Sequence, residues 1–454
     1  MTSRQIIEIR GAQMNKQGAY SSGRAVYLVD GGRTPFIKAR GVPGPFSAAD
    51  LAVAAGQQLL LRQPFRAADL DEVVLGCIVP APNEVNIGRV VALRLGCGNQ
   101  VPAWTVQRNC GSGLQAVDTA AQAIATGRSD MVLAGGTEAM SRAPVLLPSS
   151  AVEMLGGWRQ AGTLSQKLRL LKRVRPQHFK LVIGLLEGLT DPIVNLSMGQ
   201  TAEILAQRFG ISREQMDDFA LTSHQRTAAA QDEDRLNEVT ALYADDGRVY
   251  TQDDGIRRDS DMDSLAKLKP VFERPYGLVT AGNSAQVTDG AAWLMLASAA
   301  AVTRYGLTVK ARLVDAHWAG LDPGQMGLGP VHAMAPVLAR QKLQTEDIDF
   351  WEINEAFAAQ VLACQAAWQD GNYLGDELGL QVPFSPIPPE KLNIDGGAIA
   401  LGHPVGASGA RIVLHLLDVL ERHQARRGMA ALCIGGGQGG AMLVERVEEV
   451  TDAH

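Results

Sequence analysis

The stretch NCGSGLQAVDTAAQAIATGRSDMVLAGG (109–136) decides the fold, because it reads as a loop, a helix, a buried strand and a glycine turn in succession. Apolar residues recur in it at helical spacing, at Leu114, Val117, Ala121 and Ile124. The same order of elements returns in GHPVGASGARIVLHLLDVLERHQARRGMAALCIGGG (402–437). We therefore predict that the two ends of the chain are copies of one unit. The alternative is that α/β units share this order by convergence.

Short apolar strands and helices also alternate in the sequence on either side of the middle of the chain. The segments AVYLV (25–29), DEVVLGCIV (71–79) and ARLVDAHWAG (311–320) are typical of buried strands, and a helix is predicted from Ser47 to about Leu61. This alternation predicts an α/β architecture with mainly parallel strands and with helices on both faces.

Composition limits the class of protein. The 454 residues are 46% hydrophobic, and the net charge of -6 gives no reason to expect nucleic acid as a partner. The sequence shows neither a secretory leader nor the run of about 18 apolar residues that a membrane span needs, so we expect a globular, cytoplasmic protein. Its five cysteines are widely spaced without a CxxC pair, which indicates neither a disulfide framework nor a metal site.

The middle of the chain is richer in charge. A helix is predicted in SREQMDDFALTSHQRTAAAQ (212–231), where Ser212 and Gln215 form a capping-box pattern. Residues 158–186, called the basic segment below, interleave Lys and Arg with Leu, Val and Ile and contain no Asp or Glu. This pattern is typical of a surface that lies on a membrane, a partner protein or a phosphorylated ligand, and the alternative is a solvated helix that covers the core.

Cys110 is the first candidate for chemistry. It stands in QRNCGSGLQAV, directly before the predicted start of a helix. A thiol at a helix N-terminus is close to unpaired N–H groups and to the positive end of the helix dipole, which favours the nucleophilic thiolate. The alternative is a buried cysteine that only packs.

Other polar residues stand at turns where α/β folds place their sites. His403 lies between Gly402 and Pro404 before a predicted helix, and its imidazole could accept the proton of a thiol. Asn354 and Glu355 follow the apolar stretch DFWEI. Cys433 ends another apolar strand, and glycines follow it from Gly435 onward. That glycine run does not fit the dinucleotide pattern GxGxxG, which would open a helix.

Together these segments resemble the thiolase family from about residue 24 to 448. The resemblance rests on separated motifs that agree in order, namely NCGSGLQA (109–116), GGTEAMSRAP (135–144), GLVTAGNSAQVTDGAA (277–292), NEAFAAQ (354–360), GGAIALGHPVGASGAR (396–411) and CIGGGQGGA (433–441). It implies a five-layered α-β-α-β-α fold built from two duplicated βαβαβαββ halves.

The resemblance also divides the chain. It implies a flexible N-terminal tail (1–23), an N-terminal half (24–144 and 240–305), an inserted loop domain that contains the basic segment (145–239), and a C-terminal half (306–454). The insertion would lie over the substrate channel.

The activity that the resemblance implies is acyl transfer to CoA, in which 3-ketoacyl-CoA is cleaved to acetyl-CoA or formed by the reverse condensation. Cys110 would be the nucleophile, His403 its base and Cys433 the second acid. The N–H groups of Cys110 and Gly435 would form one oxyanion hole, and His403 with a water held by Asn354 would form the other. CoA is then a substrate, and neither a metal nor a nicotinamide cofactor is implied.

The remaining implications concern CoA and the partners. Contacts to CoA are predicted at Met198, Ala281, Ser284, Ala285, Ala356 and Phe357, although Ala285 stands where the family pattern has Ser. The resemblance implies a homodimer or homotetramer. The basic segment resembles the insertion of β subunits in fatty-acid oxidation complexes, which suggests a hydratase/dehydrogenase α subunit or a membrane surface as a partner and favours β-oxidation.

Two other functions stay open at this point. A decarboxylating condensing enzyme shares the duplicated fold and a nucleophilic cysteine, but a second active-site His or Asn would be expected in place of Cys433. A lipid-carrying or scaffold protein without activity would be favoured only if one of the catalytic motifs were broken.

Overall fold

The computed structural model describes residues 20, 23–380 and 384–447. The predicted flexible tail (1–23) lies outside the described residues except for Tyr20 and Gly23, and the buried Tyr20 hydroxyl donates a 2.5 Å hydrogen bond to Asp118. Among the described helices, none is both long enough and apolar enough to cross a bilayer.

The strands of the described residues alternate with helices along the chain. They are β1 (Val26–Arg33), β2 (Ile37–Lys38), β3 (Glu72–Gly76), β4 (Ala103–Val106), β5 (Met131–Ala139), β6 (Val145–Leu146), β7 (Val182–Ile183), β8 (Leu242–Tyr243), β9 (Val249–Tyr250), β10 (Thr288–Ser298), β11 (Ala311–Gly320), β12 (Phe350–Ile353), β13 (Arg427–Ile434) and β14 (Gln438–Glu445). The strands predicted near both ends of the chain are thereby confirmed.

The helices of the same residues are α1 (Ala48–Leu61), α2 (Ile87–Arg94), α3 (Ser112–Ala125), α4 (Ser149–Gln160), α5 (Leu164–Leu171), α6 (Gly184–Gly188), α7 (Met198–Arg208), α8 (Arg213–Asp232), α9 (Met262–Ala266), α10 (Ala299–Tyr305), α11 (Gly329–Gln341), α12 (Ala358–Gln369), α13 (Gly371–Leu378), α14 (Ala398–Leu401) and α15 (Ser408–Arg422). The capping box predicted at Ser212 and Gln215 is present at the start of α8.

The strands of both halves form one mixed sheet in the order β12-β13-β14-β11-β1-β10-β5-β3-β4, with β2 beside β10. The prediction of mainly parallel strands is wrong, since only β12 with β13 and β3 with its two neighbours are parallel on this path. One physical reason is the turn at 435–437, where Gly436 and Gly437 have positive φ angles of 88° and 71° and close a tight hairpin between β13 and β14.

Alternating side chains show that the sheet is folded into layers. Along β13, Leu432 and Ile434 join the apolar cluster formed with α3 and α15, whereas Ala431 and Cys433 join the cluster formed with α11 and α12. In the N-terminal half, one face of the sheet packs on α3 and α15 and the other on α1 and α2. The α/β fold with five layers, α-β-α-β-α, is therefore confirmed.

The longest strand, β10, was not predicted. All eleven of its residues are buried, and it pairs antiparallel with β1 and β5. A strand buried on both faces loses the alternation of polar and apolar residues, so its sequence TDGAAWLMLAS carries no period of two. The uninterrupted apolar run from Ala291 to Ala297 was the available signal.

A buried ion pair network ties β1 to the segment that follows α8. The guanidinium of Arg33, which has no exposed surface, donates to both carboxylate oxygens of Asp253 at 2.7 and 2.9 Å and to Glu238 at 3.1 Å. The two carboxylates stabilise the charged arginine in this apolar position.

The region between β5 and β8 has two parts. Helix α8 packs against α12 and α14, so it belongs to the body of the molecule. In contrast, Leu164, Leu168 and Leu171 of α5 are 74%, 50% and 52% exposed. The apolar face of α5, which lies within the basic segment, is therefore open to solvent, which argues against the alternative that this helix covers the core.

Candidate active site

One apolar cavity of about 340 Å³ brings most of the predicted site residues together. The predicted residues in its lining are Cys110, Met198, Ser284, Ala285, Ala356, Phe357, His403 and Cys433. They come from both halves and from α7 in the predicted insertion. The duplicated fold thus converges on a single site.

Cys110 lies in the loop two residues before α3, at the end of a backbone turn in which Asn109 has a φ of 43°. Its thiol is within hydrogen-bonding reach of two backbone N–H groups, its own and that of Gly435. Burial nevertheless raises the pKa of this thiol above its ordinary value. Desolvation of this partly buried sulfur thus outweighs the two N–H contacts, so the direction of the shift is opposite to the one expected from the helix start.

His403 is held in one orientation between α14 and α15. Its Nδ1 lies 2.6 Å from the Ser408 hydroxyl oxygen, and that hydroxyl is 3.1 Å from the Pro404 carbonyl. Since the carbonyl can only accept, the hydroxyl donates to it and accepts from His403, which assigns the proton to Nδ1. No described residue bonds to Nε2. Burial and the nearby Arg411 lower the pKa of His403 to about 4, so at neutral pH Nε2 is an available proton acceptor.

Cys433 faces the same cavity from the end of β13. Burial, with a further contribution from the neighbouring Cys110, raises the pKa of its thiol well above the ordinary value. Cys433 therefore carries a proton at neutral pH and is suited to donate it to a carbanion.

Comparison with known protein families covers nearly the whole chain and not only the residues at the cavity. The sequence matches the family described as thiolase, N-terminal domain, over residues 26–300 and the thiolase, C-terminal domain, over residues 307–446. The chain belongs to the thiolase family. It is thus an enzyme of the acetyl-CoA acetyltransferase and 3-ketoacyl-CoA thiolase type, which transfers acyl groups on CoA thioesters.

Its relatives include proteins named as acetyl-CoA acetyltransferases and proteins named as 3-ketoacyl-CoA thiolases or trifunctional enzyme subunits. An acetyl-CoA acetyltransferase of Allochromatium vinosum is 37% identical over 93% of this chain and 99% of its own length. The mitochondrial trifunctional enzyme subunit beta of Bos taurus is also 37% identical, over 93% of this chain and 88% of its own. Among solved structures, human mitochondrial 3-ketoacyl-CoA thiolase in complex with CoA has a TM-score of 0.80 at 34% identity and covers 95% of this chain and 99% of that chain.

In this thiolase, the two polar residues after β12 differ in their surroundings. Asn354 is fully buried, and neither polar atom of its side-chain amide has a partner among the described residues. Glu355 is satisfied by Ser223 at 2.6 Å, by Asn393 at 2.9 Å and by a backbone N–H of α14. The amide of Asn354 is therefore free to hold a water or ligand, whereas Glu355 links structural elements.

Three predicted residues lie outside the cavity lining. Gly435 is one, although its N–H reaches Cys110, and the buried Asn354 is another. Ala281 is exposed in the loop between α9 and β10, two residues before the buried Asn283. Its contact with CoA stays a prediction.

Sequence reasoning missed several groups at the site of this thiolase. Glu138, within the motif at 135–144, is buried and accepts the backbone N–H groups of Ile78 at 2.9 Å and Val79 at 3.0 Å. Burial raises its pKa to about 7, and its charge acts on Cys110. An acidic residue inside an apolar strand sequence was the available signal.

The apolar wall of the cavity was also missed. It is formed by Met140, Leu186, Leu189, Phe272, Met326 and Val405, with Met198. Leu186 belongs to the basic segment and lies in α6, so this segment forms part of the cavity wall. Scattered apolar residues carry no sequence pattern that would assign them to a pocket.

Proposed function

We propose that this thiolase cleaves 3-ketoacyl-CoA to acetyl-CoA and a shortened acyl-CoA in fatty-acid β-oxidation, as a cytoplasmic homodimer or homotetramer. The size and apolar lining of the cavity beside Cys110 carry the assignment. The cavity has a volume of about 340 Å³. Most of the predicted CoA contacts line the same cavity, so CoA would occupy part of this volume. A longer acyl chain would bury apolar surface against Leu186, Phe272 and Met326, which an acetyl group would leave uncovered.

In the proposed first half-reaction, the Cys110 sulfur attacks the 3-keto carbon and passes its proton to His403 Nε2. The bond between C2 and C3 then breaks, with its electron pair going to C2. The N–H groups of Cys110 and Gly435 stabilise the oxyanion at C3. Cys433 protonates C2 of the departing acetyl-CoA enolate, whose oxygen receives hydrogen bonds from His403 and from a water on Asn354. The neutral His403 and the protonated Cys433 described above suit these two roles.

In the second half-reaction, the Cys433 thiolate removes the thiol proton of an incoming CoA. The CoA sulfur attacks the thioester carbon on Cys110, and the shortened acyl-CoA leaves. His403 returns its proton to Cys110, which restores the starting state. Each proton that leaves a side chain is thereby replaced.

The direct test is CoA-dependent cleavage of acetoacetyl-CoA and of 3-ketodecanoyl-CoA. We expect wild type to prefer the longer substrate by kcat/KM and Cys110→Ala to lose both reactions. Cys97→Ala is the matched control, since Cys97 is a buried cysteine outside the cavity. A higher kcat/KM for acetoacetyl-CoA would overturn the β-oxidation proposal, and the absence of both reactions in wild type would overturn thiolytic cleavage altogether.

The cavity wall gives a second test of chain length. Leu186→Trp should narrow the cavity and lower kcat/KM for 3-ketodecanoyl-CoA by about tenfold, while acetoacetyl-CoA stays within about twofold. Leu181→Trp is the control, because Leu181 is 55% exposed on the same segment but does not line the cavity. An equal loss with both substrates would mean that Leu186 does not contact the acyl chain.

We also propose that the basic segment docks on an anionic membrane surface. The segment has no acidic residue between 158 and 186, and it exposes Phe179 at 68% and Ile183 at 48% in addition to the leucines of α5. Cations beside exposed apolar side chains suit a negatively charged lipid surface. The other candidate is the hydratase/dehydrogenase α subunit that the family resemblance implies, and the bovine relative is named as a subunit beta.

Vesicle flotation separates these partners. We expect wild type to float with vesicles that contain phosphatidylserine and not with neutral phosphatidylcholine vesicles, and Leu168→Glu to lose flotation. Val249→Glu, on the exposed strand β9, is the control. Equal flotation of the two variants would overturn membrane docking by this segment. Failure of wild type to float, together with co-purification of a hydratase/dehydrogenase, would favour the α subunit.

A further inference from the structure

We propose that Asn109 is a positioning residue that clamps the Gly435 turn against Cys110 and so sets the distance between the two N–H groups of the oxyanion hole. This inference rests on the proposed reaction for what the two N–H groups bind. The contact itself is independent of it. The Asn109 side-chain amide donates a 2.8 Å hydrogen bond to the Gly435 carbonyl, across 326 positions of sequence.

The clamp joins the two halves of the chain at the reacting sulfur. Asn109 directly precedes Cys110, so its side chain starts next to the first N–H group. Gly435 supplies the second N–H group, and its carbonyl is the acceptor for Asn109. A single side chain therefore connects the two segments whose N–H groups meet at the thiol.

The backbone at 109 explains why an asparagine suits this position. Its φ of 43° lies in the left-handed region, which asparagine tolerates better than other residues with a side chain. Glycine would also fit the backbone but would have no amide to donate. Asparagine therefore satisfies both the conformation of the turn and the hydrogen bond.

Close contacts restrict the position of the turn that begins at Gly435. A Cβ atom on Gly435 would come within 3.2 Å of the Met198 sulfur, and one on Gly111 within 2.6 Å of the Ile434 side chain. The backbone near Gly111 and the turn at Gly435 are therefore closely packed beside the cavity. The asparagine amide holds the peptide group between Gly435 and Gly436, to which the Gly435 carbonyl belongs. The Gly435 N–H belongs to the preceding peptide group, so the clamp acts on it by limiting rotation about the Gly435 backbone.

The test compares Asn109→Gly with Asn109→Asp. The glycine variant keeps the left-handed turn and deletes the amide, and the aspartate variant places a carboxylate against the Gly435 carbonyl. We expect kcat to fall about 10- to 100-fold in Asn109→Gly and at least as much in Asn109→Asp, with KM within about twofold, since loss of one oxyanion donor lowers kcat by about 100- to 1000-fold. Asn86→Gly is the matched control, because Asn86 also has a left-handed φ, 52°, and lies outside the cavity.

A second measurement does not depend on turnover. The pH dependence of Cys110 alkylation by iodoacetamide reports the pKa of its thiol, which the Gly435 N–H lowers in wild type. We expect this apparent pKa to rise in Asn109→Gly and to stay at the wild-type value in Asn86→Gly. Wild-type kcat together with an unchanged alkylation profile in Asn109→Gly would overturn the clamp. If wild type formed no acyl-enzyme with acetyl-CoA, the proposed reaction would fail, and the alkylation profiles would still decide the clamp.

Discussion

Replacement of Ser408 by alanine tests the orientation of the proposed base. The hydroxyl of Ser408 lies 2.6 Å from His403 Nδ1 and holds the proton on that nitrogen, so Nε2 remains the acceptor. Without it, a buried N–H is left unpaired, which costs about 1 to 3 kcal/mol. If this cost falls on the reactive orientation, kcat falls roughly 5- to 150-fold, because 1.36 kcal/mol corresponds to a factor of ten in rate.

The assay is steady-state cleavage of a 3-ketoacyl-CoA by Ser408→Ala, with thermal unfolding as a check on the fold. Ser298→Ala is the matched control, since Ser298 is a buried serine at the start of α10, outside the cavity. We expect the loss to appear in kcat with KM within about twofold. A kcat within twofold of wild type, or an equal loss in Ser298→Ala, would refute the argument that Ser408 orients His403.

Three further predictions concern buried ionisable side chains. Since burial lowers the pKa of His403 to about 4, His403 stays neutral and able to accept a proton as pH falls from 8 to 5. The pH profile of kcat/KM should therefore show its acid limb only near pH 4. An acid limb due to His403 near pH 6.5 would contradict this prediction. Burial raises the pKa of Glu138 from 4.5 to about 7, so the folded state keeps its proton longer than the unfolded state, and the contribution of Glu138 to stability is present below pH 4.5 and is lost as pH rises through 7. Denaturant titrations should therefore show the unfolding free energy of wild type, relative to Glu138→Gln, falling by about 3 kcal/mol over this range, and a parallel pH dependence would count against it. Finally, Arg33→Met should lower the unfolding free energy by about 3 to 5 kcal/mol, because the buried Asp253 loses its arginine partner and Glu238 keeps only its contact with His415, whereas a loss below 1 kcal/mol would show that the pocket admits water.

The positions of Cys110, His403 and Cys433 at one cavity could be anticipated from sequence because each residue stands beside a turn between regular elements. Cys110 precedes α3, His403 precedes α15 and Cys433 ends β13, and small residues beside each mark the break. Turn residues, helical spacing and apolar runs are local signals, so they survive in one sequence. The family resemblance then grouped residues that are far apart along the chain.

Properties that depend on the complete packing were not accessible. The position of Cys110 before a helix suggested a thiolate, but the extent of its burial is set by side chains from both halves and reverses the direction of the pKa shift. The contacts of Ser408 with His403 and of Asn109 with Gly435 depend on the final conformation in the same way. The prediction of mainly parallel strands was wrong for a related reason, since β10 inserts between β1 and β5 from a distant part of the chain.

Duplication of the fold explains why one site contains groups from two copies. Helices α3 and α15 hold equivalent places in the two units and pack directly on each other. Their first turns come very close, because a Cβ atom on Gly113 would lie 2.7 Å from the Gly406 carbonyl oxygen and one on Gly409 would lie 2.4 Å from the Leu114 nitrogen. Glycine at both places permits this approach. The loops that precede the two helices must then open onto the same cavity. One copy has a cysteine two residues before its helix and the other has a histidine five residues before its helix. The two loops therefore bring a nucleophile and its base to the same cavity without placing them at equivalent positions.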